Sequence, residues 1–155
     1  MYAISKKSKY ALRALFELGR RYDQGPVLIA DLSERHRIQR KFLEFILLEL
    51  PNKGILGSKK GKGGGYFLAR APSAISIGEI IRALDGPLAP VPCVSQSAYR
   101  TCDECESEAT CGIRAVMQDV RDATAQILDR ESLADILRRE EVLEQKRNKV
   151  PLYAI

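Results

Sequence analysis

No stretch of this 155-residue sequence is apolar for long enough to form the core of a signal peptide or to cross a bilayer, and its start is polar and lysine-rich (Ser5, Lys6, Lys7, Ser8, Lys9). A cytoplasmic protein with no membrane partner is expected. Histidine occurs once, at His36, and the chain shows neither a nucleophile motif nor paired acids in an apolar setting. Without such a constellation no enzyme is expected. His36 also lacks the clustered partners that a metal site needs, so it reads as a turn or surface residue. Cysteine is missing from all but nineteen consecutive residues, which hold Cys93, Cys102, Cys105 and Cys111.

That cluster, C-x8-C-x2-C-x5-C, lies between a Pro-rich stretch (GPLAPVPC) and a long amphipathic pattern. In a reducing compartment two disulfides rarely persist, and a chain of this length with 45% apolar residues builds a core without them. Cysteine number and spacing favour an iron–sulfur cluster, of two or four irons, over structural zinc, with disulfides or surface thiols as the remaining reading.

Charge divides the chain. Through Pro92 there are sixteen Lys and Arg against eight Asp and Glu, a balance of +8, and from Cys93 onward nine against twelve, a balance of −3. The first half is the candidate polyanion-binding half. Within it, Tyr10, Ala11, Ala14, Leu15, Leu18 and Tyr22 recur at helical spacing and predict a first helix ending before Gly25-Pro26. A short second helix carries Ile29 and Leu32 inward, with Asp31, Glu34 and Arg35 outward, and breaks around His36, Arg37 and Ile38. A third, QRKFLEFILLEL, sets Phe42, Leu43, Ile46, Leu47 and Leu50 on one side and ends or kinks at Pro51. Gln39, Arg40, Lys41, Glu44 and, less clearly assigned, Phe45 stay near its exposed start. Two helices joined by a tight turn, the second opening with polar and basic side chains, is helix-turn-helix geometry.

ILGSKK, GKGGG and YFLAR then predict a two-stranded wing. Its tip displays Lys59, Lys60 and Lys62, and Gly61, Gly63, Gly64 and Gly65 permit positive φ and close backbone approach to a phosphate. A nucleotide-binding P-loop is excluded: Gly57 and Gly61 are one residue too close, and Gly63 follows Lys62 where that motif needs Ser or Thr. The capping box Ser76-Ile77-Gly78-Glu79 opens a fourth helix that stops at Asp85-Gly86-Pro87. Beyond the cysteines, Ile113, Val116, Met117, Val120, Ala123, Thr124 and Ile127 form a stripe over four turns, with Arg114, Asp119, Arg121 and Asp122 outside it. Such a helix suits a dimer seam, the alternative being packing within its own domain. The expected organisation is mainly α with a small β-wing: a winged helix-turn-helix domain over 1–86, a cysteine-rich loop over 87–112, a dimerisation helix and cap over 113–137, and a frayed tail over 138–155.

KYALRALFEL, the Phe42-Leu43-Glu44 segment, KKGKGGGYFLAR, SIGEIIRALDGPL and a cysteine loop before a long helix resemble the winged-helix regulator family that includes IscR, NsrR, RirA and CymR. The resemblance spans roughly residues 1 to 137. It implies a homodimeric transcription factor, in many members with an iron–sulfur cluster on three cysteines plus a variable fourth ligand, and in others, such as CymR, with a protein partner instead. Cys93, Cys105 and Cys111 match the family cysteines. Where IscR-type members place a histidine this chain has Arg114, and where NsrR-type members place an aspartate it has Lys9. Cys102 is the expected replacement.

The combined expectation is a homodimer that binds double-stranded DNA at a palindromic operator, tuned by a cluster on Cys93, Cys102, Cys105 and Cys111. Gln39, Arg40, Lys41 and Glu44 are assigned to base edges. Lys59, Lys60 and Lys62, with Gly61 and Gly63 between and after them, are assigned to phosphates or the minor groove. The alternative from a different class is an iron–sulfur or zinc protein in electron transfer or cluster handling, its winged helix used for protein contacts.

Overall fold

The computed structural model describes residues 4–149. Its first helix, α1 (Lys6–Arg20), is capped by Ser5, whose hydroxyl accepts the Ser8 N–H at 3.0 Å. Ala11, Ala14, Leu15 and Leu18 form its buried face, and α1 becomes the centre of the domain, in contact with α2 (Ile29–His36), α3 (Arg40–Leu47) and α4 (Ile77–Asp85). Tyr22 falls outside the helix and is partly exposed. The buried Glu17 carboxylate pins α1 to α2, pairing at 2.8 Å with both Arg21 and Arg35.

The α2–α3 turn is short because Arg37 adopts the left-handed conformation, φ 53°. Across it the Ser33 hydroxyl donates to the Ile38 carbonyl at 2.6 Å and the Ile38 N–H returns to the Ser33 carbonyl at 3.0 Å. Buried Ile38 then plugs the turn into the core. Helix α3 stops at Leu47, short of the expected end at Pro51. The proline restricts Leu50, and the last turn tightens into shorter bonds, Glu49 N–H to Ile46 and Leu50 N–H to Leu47, before a 3-10 turn over Pro51–Lys53. Leu50 is still buried, whereas Phe42 is half-exposed and packs edge-on against Tyr10 at 5.9 Å.

The wing forms as expected. Strand β1 (Leu56–Lys59) pairs antiparallel with β2 (Gly65–Leu68), Leu56 opposite Leu68 and Lys59 opposite Gly65. Val27 adds an isolated antiparallel bridge to β2 through two bonds with Tyr66, 2.8 and 2.9 Å, so the α1–α2 linker braces the wing. The glycines serve two purposes rather than one. Gly61, Gly63 and Gly65 take positive φ, whereas Gly64 is needed because a Cβ there would run into the Lys59 carbonyl oxygen.

Ser76 caps α4 through the Glu79 N–H at 3.1 Å. Glu79 itself pairs with Arg70, which also donates to the Gly54 and Ala74 carbonyls and so ties wing to helix. Two further helices complete the chain, α5 (Gly112–Arg130) and α6 (Leu133–Lys149). Arg82 of α4 grips Asp129 of α5 at 2.5 and 2.8 Å. At the α5–α6 joint, Ile77 N–H donates to Glu131 at 2.8 Å and Leu133 N–H to Ile75 at 2.9 Å.

The stretch expected to fray from residue 138 is instead helical to Lys149. Its Glu, Arg, Lys, Leu and Gln residues are strong helix formers. It also starts from a capping box: Ser132 Oγ accepts the Asp135 N–H at 3.2 Å, while Asp135 accepts the Ser132 N–H at 2.9 Å. Residues 150–155, the rest of that expected tail, lie outside the described residues. Among the described residues no helix is long and apolar enough to cross a membrane.

Candidate functional site

The candidate residues gather on two surfaces. On the first, Gln39, Arg40 and Lys41 are exposed at the start of α3, where the left-handed Arg37 and the Ile38 plug aim the helix outward. Arg40 Nε lies 3.2 Å from Glu44 Oε1, an i,i+4 pair that leaves Glu44 half-exposed. Arg40 and Glu44 therefore form one unit rather than two independent side chains. Phe45 and Leu48 are also exposed, at 59% and 63%, and fall on the same helical face as Lys41 and Glu44. Burial first, and the Glu44 charge second, hold the Tyr66 phenol above its usual range.

Lys59, Lys60 and Lys62 are exposed at the wing tip with Gly61 and Gly63 between and after them. Among the described residues none of the three lysines pairs with a carboxylate. His36 lines a small hollow with Arg13, Arg35 and Arg37, not the cysteine cavity. Burial lowers its pKa first, Glu17 opposes, and the surrounding arginines lower it further.

The second surface is a cavity of about 690 Å³ lined by all four cysteines together with Arg100, Arg114 and Ile113. Cys93 is buried in a 3-10 turn, Cys102 is exposed, and Cys105 and Cys111 are half-buried; all are free thiols. A bond from Cys105 N–H to the Cys102 carbonyl at 3.2 Å closes the C-x-x-C turn. Cys111 caps α5, its sulfur accepting the Arg114 N–H at 3.4 Å. Desolvation first, then the neighbouring Cys111 and, more weakly, Cys102, push the Cys105 thiol up.

Among the described residues no three His, Cys, Asp or Glu side chains converge as ligands of a single ion. The thiols instead surround a hollow at a helix N-terminus. Four thiols around one hollow at a helix N-terminus are residues that could hold a thiolate-ligated, anionic group.

Helix α5 departs from the expected pattern in its polar positions. Ile113, Val116, Val120 and Ile127 are exposed, the first by 71%, and among the described residues no α5 side chain is fully buried. Met117 and Thr124, expected in the same stripe, are only half-exposed. Arg114 and Arg121, expected outside, lean toward the cysteine loop because its polar backbone offers long cationic side chains a place to bond. Arg121 donates to the Val94 carbonyl at 2.6 Å, and Arg114 Nε lies 3.6 Å from Glu108. Nothing in the sequence marks the Arg121 link, since its acceptor is a backbone carbonyl.

The sequence matches the Rrf2 family, described as an iron-dependent transcriptional regulator, over residues 4–139. It is 43% identical over 137 residues to an rrf2-like protein of Rhodobacter capsulatus, covering 86% of this chain and 91% of that one. Identity to the HTH-type transcriptional regulator IscR of Escherichia coli is 30% over 141 residues, 91% of this chain and 83% of IscR. The solved structure of CymR, the global cysteine regulator of B. subtilis, superposes with a TM-score of 0.74 at 31% identity, covering 90% of this chain and 98% of CymR.

Proposed function

The chain belongs to the Rrf2 family and is a DNA-binding transcriptional regulator of the helix-turn-helix type, and from that premise we propose that it acts as a homodimer whose operator affinity is set by an iron–sulfur cluster on Cys93, Cys102, Cys105 and Cys111. The observation that carries this reading is the single cavity shared by all four thiols at the N-terminus of α5, the helix whose apolar stripe is uncovered. The stripe supports a two-fold seam. A helix with this much apolar side chain in water gains by pairing, and a second copy offers the same stripe.

At the DNA, Gln39, Arg40, Lys41 and Glu44 face base edges in the major groove, the Glu44 carboxylate suiting a cytosine amino group once it leaves Arg40. Lys59, Lys60 and Lys62 meet phosphates, where Gly61 and Gly63 let the backbone come close. When bound, the cluster supplies an anionic, redox-active core. The protein's own residues connect its cavity to the DNA-binding body: Arg121 holds the segment after Cys93 to α5 through Val94, and Asp129 of α5 holds Arg82 of α4.

Anaerobic purification with an absorption spectrum and iron and sulfide analysis tests the cofactor. Visible charge-transfer bands with matching iron and sulfide support the reading. A colourless protein holding zinc, or no metal, defeats it.

A further inference from the structure

We infer that Phe45 reads sequence by packing its ring on the 5-methyl group of a thymine in each operator half-site. This rests on the DNA-binding reading above and adds the chemistry of one contact. Leu43, Ile46 and Leu47 supply the core face of α3 and are fully buried, so the fold does not need Phe45, which stays 59% exposed. It lies one residue beyond the paired Glu44 and one turn beyond Lys41, on the outward face. Leu48, exposed by 63%, prolongs the same apolar spot.

An apolar spot on the same face as Lys41 and beside the Arg40–Glu44 pair fits a polyanion that presents something apolar between its phosphates. In the major groove that feature is the thymine methyl, the apolar group among the base edges displayed there. Phenylalanine has no donor or acceptor, so shape and methyl desolvation are its only means of choosing a base. A second copy of the chain is the poorer occupant. Pairing α3 with α3 would press Arg40 and Lys41 against their own copies, whereas α5 offers a longer apolar face without that conflict.

Duplexes selected by the wild-type protein from a random library provide the probe. Each thymidine is replaced in turn by deoxyuridine, which keeps the hydrogen-bonding edge and loses only the methyl. At one thymine per half-site the substitution should weaken binding about fourfold, the worth of one buried methyl. Phe45→Ala should bind the thymine and uracil duplexes equally, and Phe45→Leu should keep part of the preference, with thermal melts showing both variants folded. If the wild type selects no sequence, the DNA-binding reading itself fails. If it selects one but uracil is tolerated at every thymine, or Phe45→Ala keeps the uracil penalty, Phe45 is not a base reader. A changed oligomeric state in Phe45→Ala, with uracil tolerated, would assign the spot to a protein contact instead.

Discussion

Cys102 separates this chain's proposed ligand set from three-cysteine schemes. It is the exposed member of the four, yet it lines the same cavity and turns back on Cys105 through the backbone. Serine at Cys93, Cys105 or Cys111 should abolish cluster binding. Serine at Cys102 should lower iron and sulfide content and increase oxygen lability; an unchanged spectrum and unchanged lability would remove Cys102 from the ligand set. Glu17 makes a different kind of claim, about the scaffold. Its buried carboxylate serves Arg21 and Arg35 at 2.8 Å each. Glu17→Gln should therefore cost about 2 kcal/mol in denaturant unfolding, the worth of a charge-assisted bond whose loss leaves partners half-exposed. A loss within experimental error would mean that the arginines find water equally good.

Among the elements, α1, α2, the wing and α4 follow expectation because their signals are local: helical spacing, Gly and Pro breaks, and a serine cap. The missed features depend on distant partners. Val27 joining β2, Arg121 reaching Val94 and Glu79 turning to Arg70 leave no periodic trace. The α6 extension was legible in Ser132-Leu133-Ala134-Asp135, a capping pattern outweighed by the charged composition that follows it. The Ser132 hydroxyl first, its N–H next and then Arg138 hold Asp135 down at about 2. With a folded pKa below the unfolded value of about 4, its stabilising effect is present above that value and lost as pH falls through about 2. Asp135→Asn should melt at a lower temperature than wild type at pH 7, with the gap closing between pH 4 and pH 2.

On α5, Val120→Asp should put a charge into the seam and give a monomer in sedimentation, with DNA binding lost. A dimeric, DNA-competent variant would rule out this helix as the interface. For the wing, Lys60→Ala or Lys62→Ala should reduce the slope of log affinity against log salt by about 0.9 for each of the dimer's two wings and weaken all sequences alike. Wild-type slopes in both variants would take the wing off the phosphates.

At the scale of the whole molecule, polar contacts join the basic half to the cysteine loop. They run from Cys93 through Val94 and Arg121 along α5 to Asp129 and Arg82, with the Ile77–Glu131 and Ile75–Leu133 bonds beside them. The charge division and the cysteine spacing located both ends of this path in the sequence, while the path itself needed coordinates. It predicts that cluster state and DNA affinity are coupled, because both bias one connected body. The most direct measurement compares operator affinity of anaerobically purified protein, intact and after chelator has stripped its cluster, on a duplex selected from a random library. The account predicts a difference of about tenfold or more between the two forms. Equal affinities, with the cluster present in one sample and absent in the other, would contradict it.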